Sequence, residues 1–183
     1  AAIAMGLLPH DFTGGKAETK AALDGLRSGE NDWQRLQGQV YGAYMPQARL
    51  MCGVSAFLTI ARAKKAKVIV VSHKTKHGHF DTARVDLRQA ALNWMSQKAF
   101  FDPNGFGLAW EDVHFLPTRP EKVKQIAKLA LDVFIDDLPA VFSEPGFPVG
   151  TRRILYRNNR APIAGPFEAF PDWFAIRQSI FLS

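Results

Sequence analysis

Residue types that together can handle phosphate recur at the ends of apolar segments in this sequence. Asp136 and Asp137 follow Val133, Phe134 and Ile135, a run that reads as a buried strand, and Leu138-Pro139 breaks it at once. Ser72 follows Val68 to Val71, four β-branched residues in a row that predict a strand covered on both faces, as in a parallel sheet. Lys122 lies in the first turns of a helix opened by the capping box of Thr118 and Glu121, with Pro120 beside them. In an open parallel sheet, ligands bind beyond the carboxyl ends of the strands, where these groups would converge. A hydroxyl, an ammonium and two carboxylates suit a phosphate held between a divalent cation and a lysine. Mg²⁺ takes one or two protein carboxylates along with phosphate oxygens. Lys122 would neutralise charge spreading over the equatorial oxygens, and Ser72, with the N–H groups beyond it, would donate to them. An Asp pair alone also serves as a solvated turn capping a short helix.

The elements that must position these groups follow from periodicity. Residues 1–8 read as the end of a helix, and His10 to Lys16 as a loop that lacks the glycine spacing of a phosphate-binding P-loop. Helices are expected over 18–27 and from Asn31 or Asp32 onward, the second carrying Trp33, Leu36, Val40 and Tyr44 at spacings of three and four. A third spans 53–65, with a basic end that suits the negative helix terminus. Strands at 68–72, 113–116, 132–136 and 153–156 alternate with helices at 86–98 and 118–131, and a terminal helix is expected over 167–182. Loops rich in Pro and Gly fall at 143–150 and 162–171. The pattern is that of an α/β domain with parallel crossovers.

Composition narrows the class. The chain has 183 residues, 47% hydrophobic and 22% charged, with one cysteine, Cys52, which fits a reducing, cytoplasmic setting. No apolar run approaches the ~18 residues that cross a bilayer, so no membrane partner is expected. The net charge of +6 is spread along the chain, which suits a small phosphorylated substrate and makes nucleic acid an unlikely partner.

The segments VIVVS at Ser72, TRPEKVKQI at Lys122 and VFIDD at Asp136-Asp137 resemble, in order and spacing, the second to fourth motifs of the haloacid dehalogenase (HAD)-like superfamily of aspartate-nucleophile phosphohydrolases. The likeness covers roughly residues 50–157, and Lys124 is the substitute should Lys122 not be the motif lysine. It implies a three-layer, Rossmann-like parallel sheet over 53–183, with a helical cap-like segment over 1–52. It further implies a Mg²⁺-dependent phosphomonoester hydrolase in which Asp136 ligates the metal, Asp137 holds Lys122 or a metal-bound water, and Ser72, His73, Lys74 and Lys122 contact phosphate. In the cap, Trp33, Gln37, Tyr41, Tyr44 and Arg49 would face the substrate or form the cap core.

The family's first motif, a strand ending in Asp-x-Asp whose first Asp attacks phosphorus, has no counterpart here. Asp11 has no strand before it and no second Asp two residues on. The expectation is therefore an N-terminally truncated hydrolase with that motif upstream of Ala1. The alternative is a non-catalytic module that binds a phospholigand or a partner. His73, His77 and His79 share one loop with Lys74 and Lys76. That loop suits an anion better than zinc, which wants further His or Cys ligands from elsewhere.

Overall fold

The structure, a computed structural model, describes residues 1–26, 28–158 and 163–182. Arg27, the expected end of the first helix, and Pro162, the expected start of the second loop, lie outside the described residues. In chain order the helices are α1 (Lys16–Asp24), α2 (Gly29–Tyr41), α3 (Val54–Ala63), α4 (Leu87–Gln97), α5 (Arg119–Leu129), α6 (Pro139–Phe142) and α7 (Trp173–Phe181). The strands are β1 (Val70–His73), β2 (Val113–Leu116), β3 (Val133–Asp136), β4 (Arg152–Tyr156) and β5 (Glu168–Phe170). No helix among the described residues is long and apolar enough to cross a membrane.

Two compact units divide the chain: Ala1–Ala48 with Thr75–Gln97, and Arg49–Lys74 with Lys98–Ser183. The first is helical. Ser28, not Asn31 or Asp32, precedes α2; its hydroxyl donates to Asp32 at 2.5 Å, so that Asp32 sits in the first turn, where a carboxylate suits the positive helix end. Leu23, Trp33 and Leu36 form the core of this unit, with Met5, Leu7 and Leu8 packed against it. Helix α4 belongs here as well, packed on α2 and on the 3-10 turn Met45–Gln47. Its Trp94 indole N–H donates to the carbonyl of Ala48 at 2.8 Å. The sequence assigns α4 to the α/β domain, and the expected boundary after residue 52 omits Thr75–Gln97 from the helical segment. An amphipathic stripe tells that a helix is buried, not which surface buries it. Backbone joins backbone in this unit too: a Cβ on Gly78 would lie 2.7 Å from the Cα of Gly38, which only glycine avoids.

The second unit is α/β, with its strands in two small parallel sheets. β1 pairs with β2, and β4 lies between β3 and β5. One apolar cluster joins Val71 of β1, Val123 and Ile126 of α5, Phe134 of β3, Leu155 of β4, and Val141 and Phe142 of α6. Strand alternation turns Ile154 the other way, toward the side of Arg152, whose guanidinium donates to the Ser179 carbonyl of α7 at 3.1 Å. Ile154 and Leu155 are both fully buried, so β4 is covered on both faces. Helix α7 packs on α3 through Phe57, whose ring lies 5.1 Å from that of Trp173 and 5.4 Å from that of Phe181. The expected terminal helix over 167–182 begins only at Trp173. Residues 168–170 form β5 instead, because Asp172 resets the chain as an N-cap, accepting from the Ala175 N–H at 2.8 Å.

Candidate phosphate and metal site

Helix α5 places the lysine. Thr118 is its N-cap and accepts from the Glu121 N–H at 3.3 Å, while its own hydroxyl donates to the Glu121 carboxylate at 2.6 Å. Four residues past that cap, on the face that buries Val123 and Ile126, stands Lys122. Its ammonium donates to Oδ2 of Asp136, the last residue of β3, and both side chains are under one-tenth exposed. The other Asp136 oxygen accepts from the Leu138 N–H at 2.9 Å, which closes the turn after the strand. The lysine nitrogen also lies 5.4 Å from the centre of the Phe134 ring.

The pairing falls on Asp136, where the resemblance gives Asp137 either Lys122 or a metal-bound water to hold. Strand alternation gives the reason: Phe134 and Asp136 share the face that looks toward α5, and Asp137 turns away into solvent. Lys124 is exposed as well, which leaves Lys122 as the lysine of this edge.

Ser72 lies one residue before the end of β1, half-buried and in register with Phe115 of β2. His73 closes the strand and is exposed; Lys74 follows, its N–H donating to the Leu116 carbonyl at 2.9 Å. Burial pushes the Lys74 ammonium below the usual lysine pKa. The loop expected to act as one piece is divided between the units. Ser72, His73 and Lys74 belong to the α/β unit, whereas His77 and His79 belong to the helical one. There the His77 ring nitrogen sits 3.4 Å from the Val85 carbonyl.

Among the described residues no group of three His, Cys, Asp or Glu side chains is arranged to hold a metal ion. The donor set at the end of β3 is two adjacent carboxylates, one buried and doubly hydrogen-bonded, one exposed. A carboxylate carries about four lone-pair sites, so Asp136 keeps acceptor capacity beside its two donors. Because Asp137 turns away, only Asp136 faces this edge, and one carboxylate is a donor set that a hard cation such as Mg²⁺ would have to complete with waters or phosphate oxygens.

Of the residues expected to face a substrate from the helical segment, Trp33 is core, and Gln37 and Tyr41 line a cavity within that unit. Arg49 is exposed and belongs to the other unit. Lys16 and Thr19 line the same cavity and were not legible in advance, because nothing local marks the start of α1 as a wall. No protein-family profile matches the chain, and no curated protein and no solved structure is significantly similar to it.

Proposed function

We propose that the α/β unit is the phosphate-handling part of a Mg²⁺-dependent phosphomonoester hydrolase of the HAD-like type, working in the cytoplasm. One observation carries the reading: a buried Lys122–Asp136 pair at the carboxyl end of a parallel strand, on a helix that packs against β1, the strand that carries Ser72. A buried ion pair is weak evidence for stability, because desolvation offsets most of the attraction, so its position at a strand end argues for a role in chemistry. Asp136 would hold the Mg²⁺, which would supply positive charge to the phosphoryl oxygens, and Asp137, on the solvent side, would reach it through a metal-bound water. Lys122, fixed by Asp136, directs its remaining donors at the same oxygens, and the Ser72 hydroxyl donates from β1. Lys74 adds a further cation beyond that strand.

The finer fold belongs to the same reading. Among the described residues β1 and β3 each pair with a single strand, yet Val71 and Phe134 share one apolar cluster. Between two such edges a further parallel strand would complete one continuous sheet and satisfy their free N–H and C=O groups. A strand of that kind ending in Asp-x-Asp would bring the nucleophile to Lys122 and Ser72. A second reading, motivated by the lack of an Asp-x-Asp sequence within residues 1–183, is a phospholigand-binding module without turnover.

Release of phosphate from a chromogenic aryl phosphate separates the two. Turnover that needs Mg²⁺ and vanishes in Asp136→Ala supports the hydrolase. Thermal stabilisation by Mg²⁺ with a phosphate analogue, without turnover, supports the binding module. A protein indifferent to both ligands refutes both readings.

A further inference from the structure

The helical unit contains an open cavity of about 340 Å³ walled by α1, α2 and the backbone near Ala1–Ala2 and Gly14–Gly15. Trp33 and Leu36 supply apolar wall; Lys16, Thr19, Gln37 and Tyr41 supply polar groups. The Lys16 ammonium lies 3.5 Å from the Tyr41 hydroxyl, so a cation and a hydroxyl donor meet on one side. The Lys20 ammonium, 5.5 Å from the centre of the Trp33 ring, is outside the cavity wall and paired with Asp24 at 2.8 Å and Glu30 at 3.6 Å, so Lys16 is the lysine of the site. None of the residues lining the cavity is acidic. Its size lies at the small end of ligand sites, with room for roughly ten non-hydrogen atoms at the ~30 Å³ that a water occupies in the liquid.

The geometry points to a binding site for a small aromatic carboxylate. An apolar ring matches the indole and leucine walls. A single negative charge matches one ammonium assisted by a phenol, in the charge-assisted hydrogen bonds that carboxylates form best. A phosphomonoester dianion would leave charge without a partner against apolar walls. The site belongs to the helical unit, and its test does not depend on the chemistry proposed for Lys122 and Asp136.

Benzoate is the probe, titrated into the isotope-labelled full chain and followed by NMR, with benzyl alcohol as the neutral isostere. The expected result is saturable binding with a Kd of about 1 mM, suited to a ligand of this size. It should shift the Trp33 indole N–H and the Lys16 and Thr19 amides. Lys16→Met, which keeps the stem of an exposed side chain, should weaken binding about tenfold, and benzyl alcohol should bind about tenfold more weakly than benzoate. Thr19→Phe, which fills the cavity, should abolish binding. The site is refuted if benzoate fails to saturate by about 10 mM, or if Lys16→Met or Thr19→Phe binds it as the wild type does. Tighter binding of phenyl phosphate than of benzoate at the same resonances would overturn the carboxylate assignment.

Discussion

Two ion pairs, one from each unit, meet solvent in opposite ways. In the helical unit, Lys20 pairs with Asp24 at 2.8 Å, but the side chains are 41% and 48% exposed, and solvent screens what they gain. In the α/β unit, Lys122 and Asp136 are 9% and 8% exposed, and each depends on the other for its solvation. The contrast teaches that a short ion pair is informative only with its burial. The exposed pair decorates a helix and could be lost unnoticed. The buried one must have its partner, and it sits at the carboxyl end of a parallel strand.

The sharpest way to break the contrast is to remove one buried partner. Asp136→Ala leaves an uncompensated ammonium and should destabilise the protein by about 3–5 kcal/mol in denaturant melts, besides ending any Mg²⁺-dependent turnover. The double variant Lys122→Met, Asp136→Leu should recover most of that stability while staying inactive, because apolar replacements of similar volume carry no desolvation penalty. A double variant no more stable than the single one would show that the pair is a packing element. Next in size are paired core truncations. Leu23 and Leu155 are both fully buried, so Leu→Ala at either should cost about 3 kcal/mol. Hydrogen exchange should show protection lost in residues 1–48 and 75–97 for Leu23→Ala, and in 49–74 and 98–183 for Leu155→Ala. Uniform loss in both variants would erase the two-unit description.

Local rules carried the reading of the α/β unit far. The span of β2 follows from its residues, and the Thr118 capping box set both the start of α5 and the place of Lys122. What local rules could not supply was the company each element keeps. Helix α4 shows the right stripe, Leu87 and Ala91 and Trp94, but whether that stripe meets a sheet or α2 depends on residues far away in sequence. β5 is three residues long and begins with Glu168, so it carries no alternation to recognise, and its identity comes only from pairing with β4. The choice between Asp136 and Asp137 was within reach. Counting by twos from the buried Phe134 puts Asp136 toward α5, a use of strand periodicity stronger than the analogy that favoured Asp137.

Thr118 offers a smaller effect that sharpens the same comparison. Thr118→Ala removes the acceptor for the Glu121 N–H and should cost about 1 kcal/mol, whereas Thr118→Ser should retain most of it. If Lys122 is positioned by this helix start, Thr118→Ala should also raise the concentration of Mg²⁺ or phosphate analogue needed for half-maximal stabilisation. A lost cap with unchanged ligand dependence would separate Lys122 from the architecture of α5.

The smallest effect decides whether burial, and not the unit, governs the behaviour of charge. The α/β unit also holds an exposed pair: Arg152 donates to both carboxylate oxygens of Glu168 at 2.7 Å, with side chains 33% and 51% exposed. These hydrogen bonds hold the Glu168 carboxyl below its ordinary value of 4.5, against a partial desolvation that works the other way. A carboxyl whose pKa is depressed by folding stabilises the native state above the unfolded pKa and loses that contribution as pH falls through the folded one. Glu168→Gln should therefore lower stability by less than ~1 kcal/mol at neutral pH, and the difference from wild type should shrink as the pH drops below the ordinary carboxyl range. Arg152 keeps a second anchor in the variant, since it also donates to the Ser179 hydroxyl at 2.5 Å, so the loss reports the ion pair and not the collapse of β4 onto α7. Denaturant melts of both proteins across that pH range read the difference directly. A Glu168→Gln penalty as large as that of Asp136→Ala would mean that exposed pairs in this unit are as coupled as buried ones. A small penalty that fades in acid would place Glu168 with the solvent-screened pairs of the helical unit and leave Lys122–Asp136 set apart by burial.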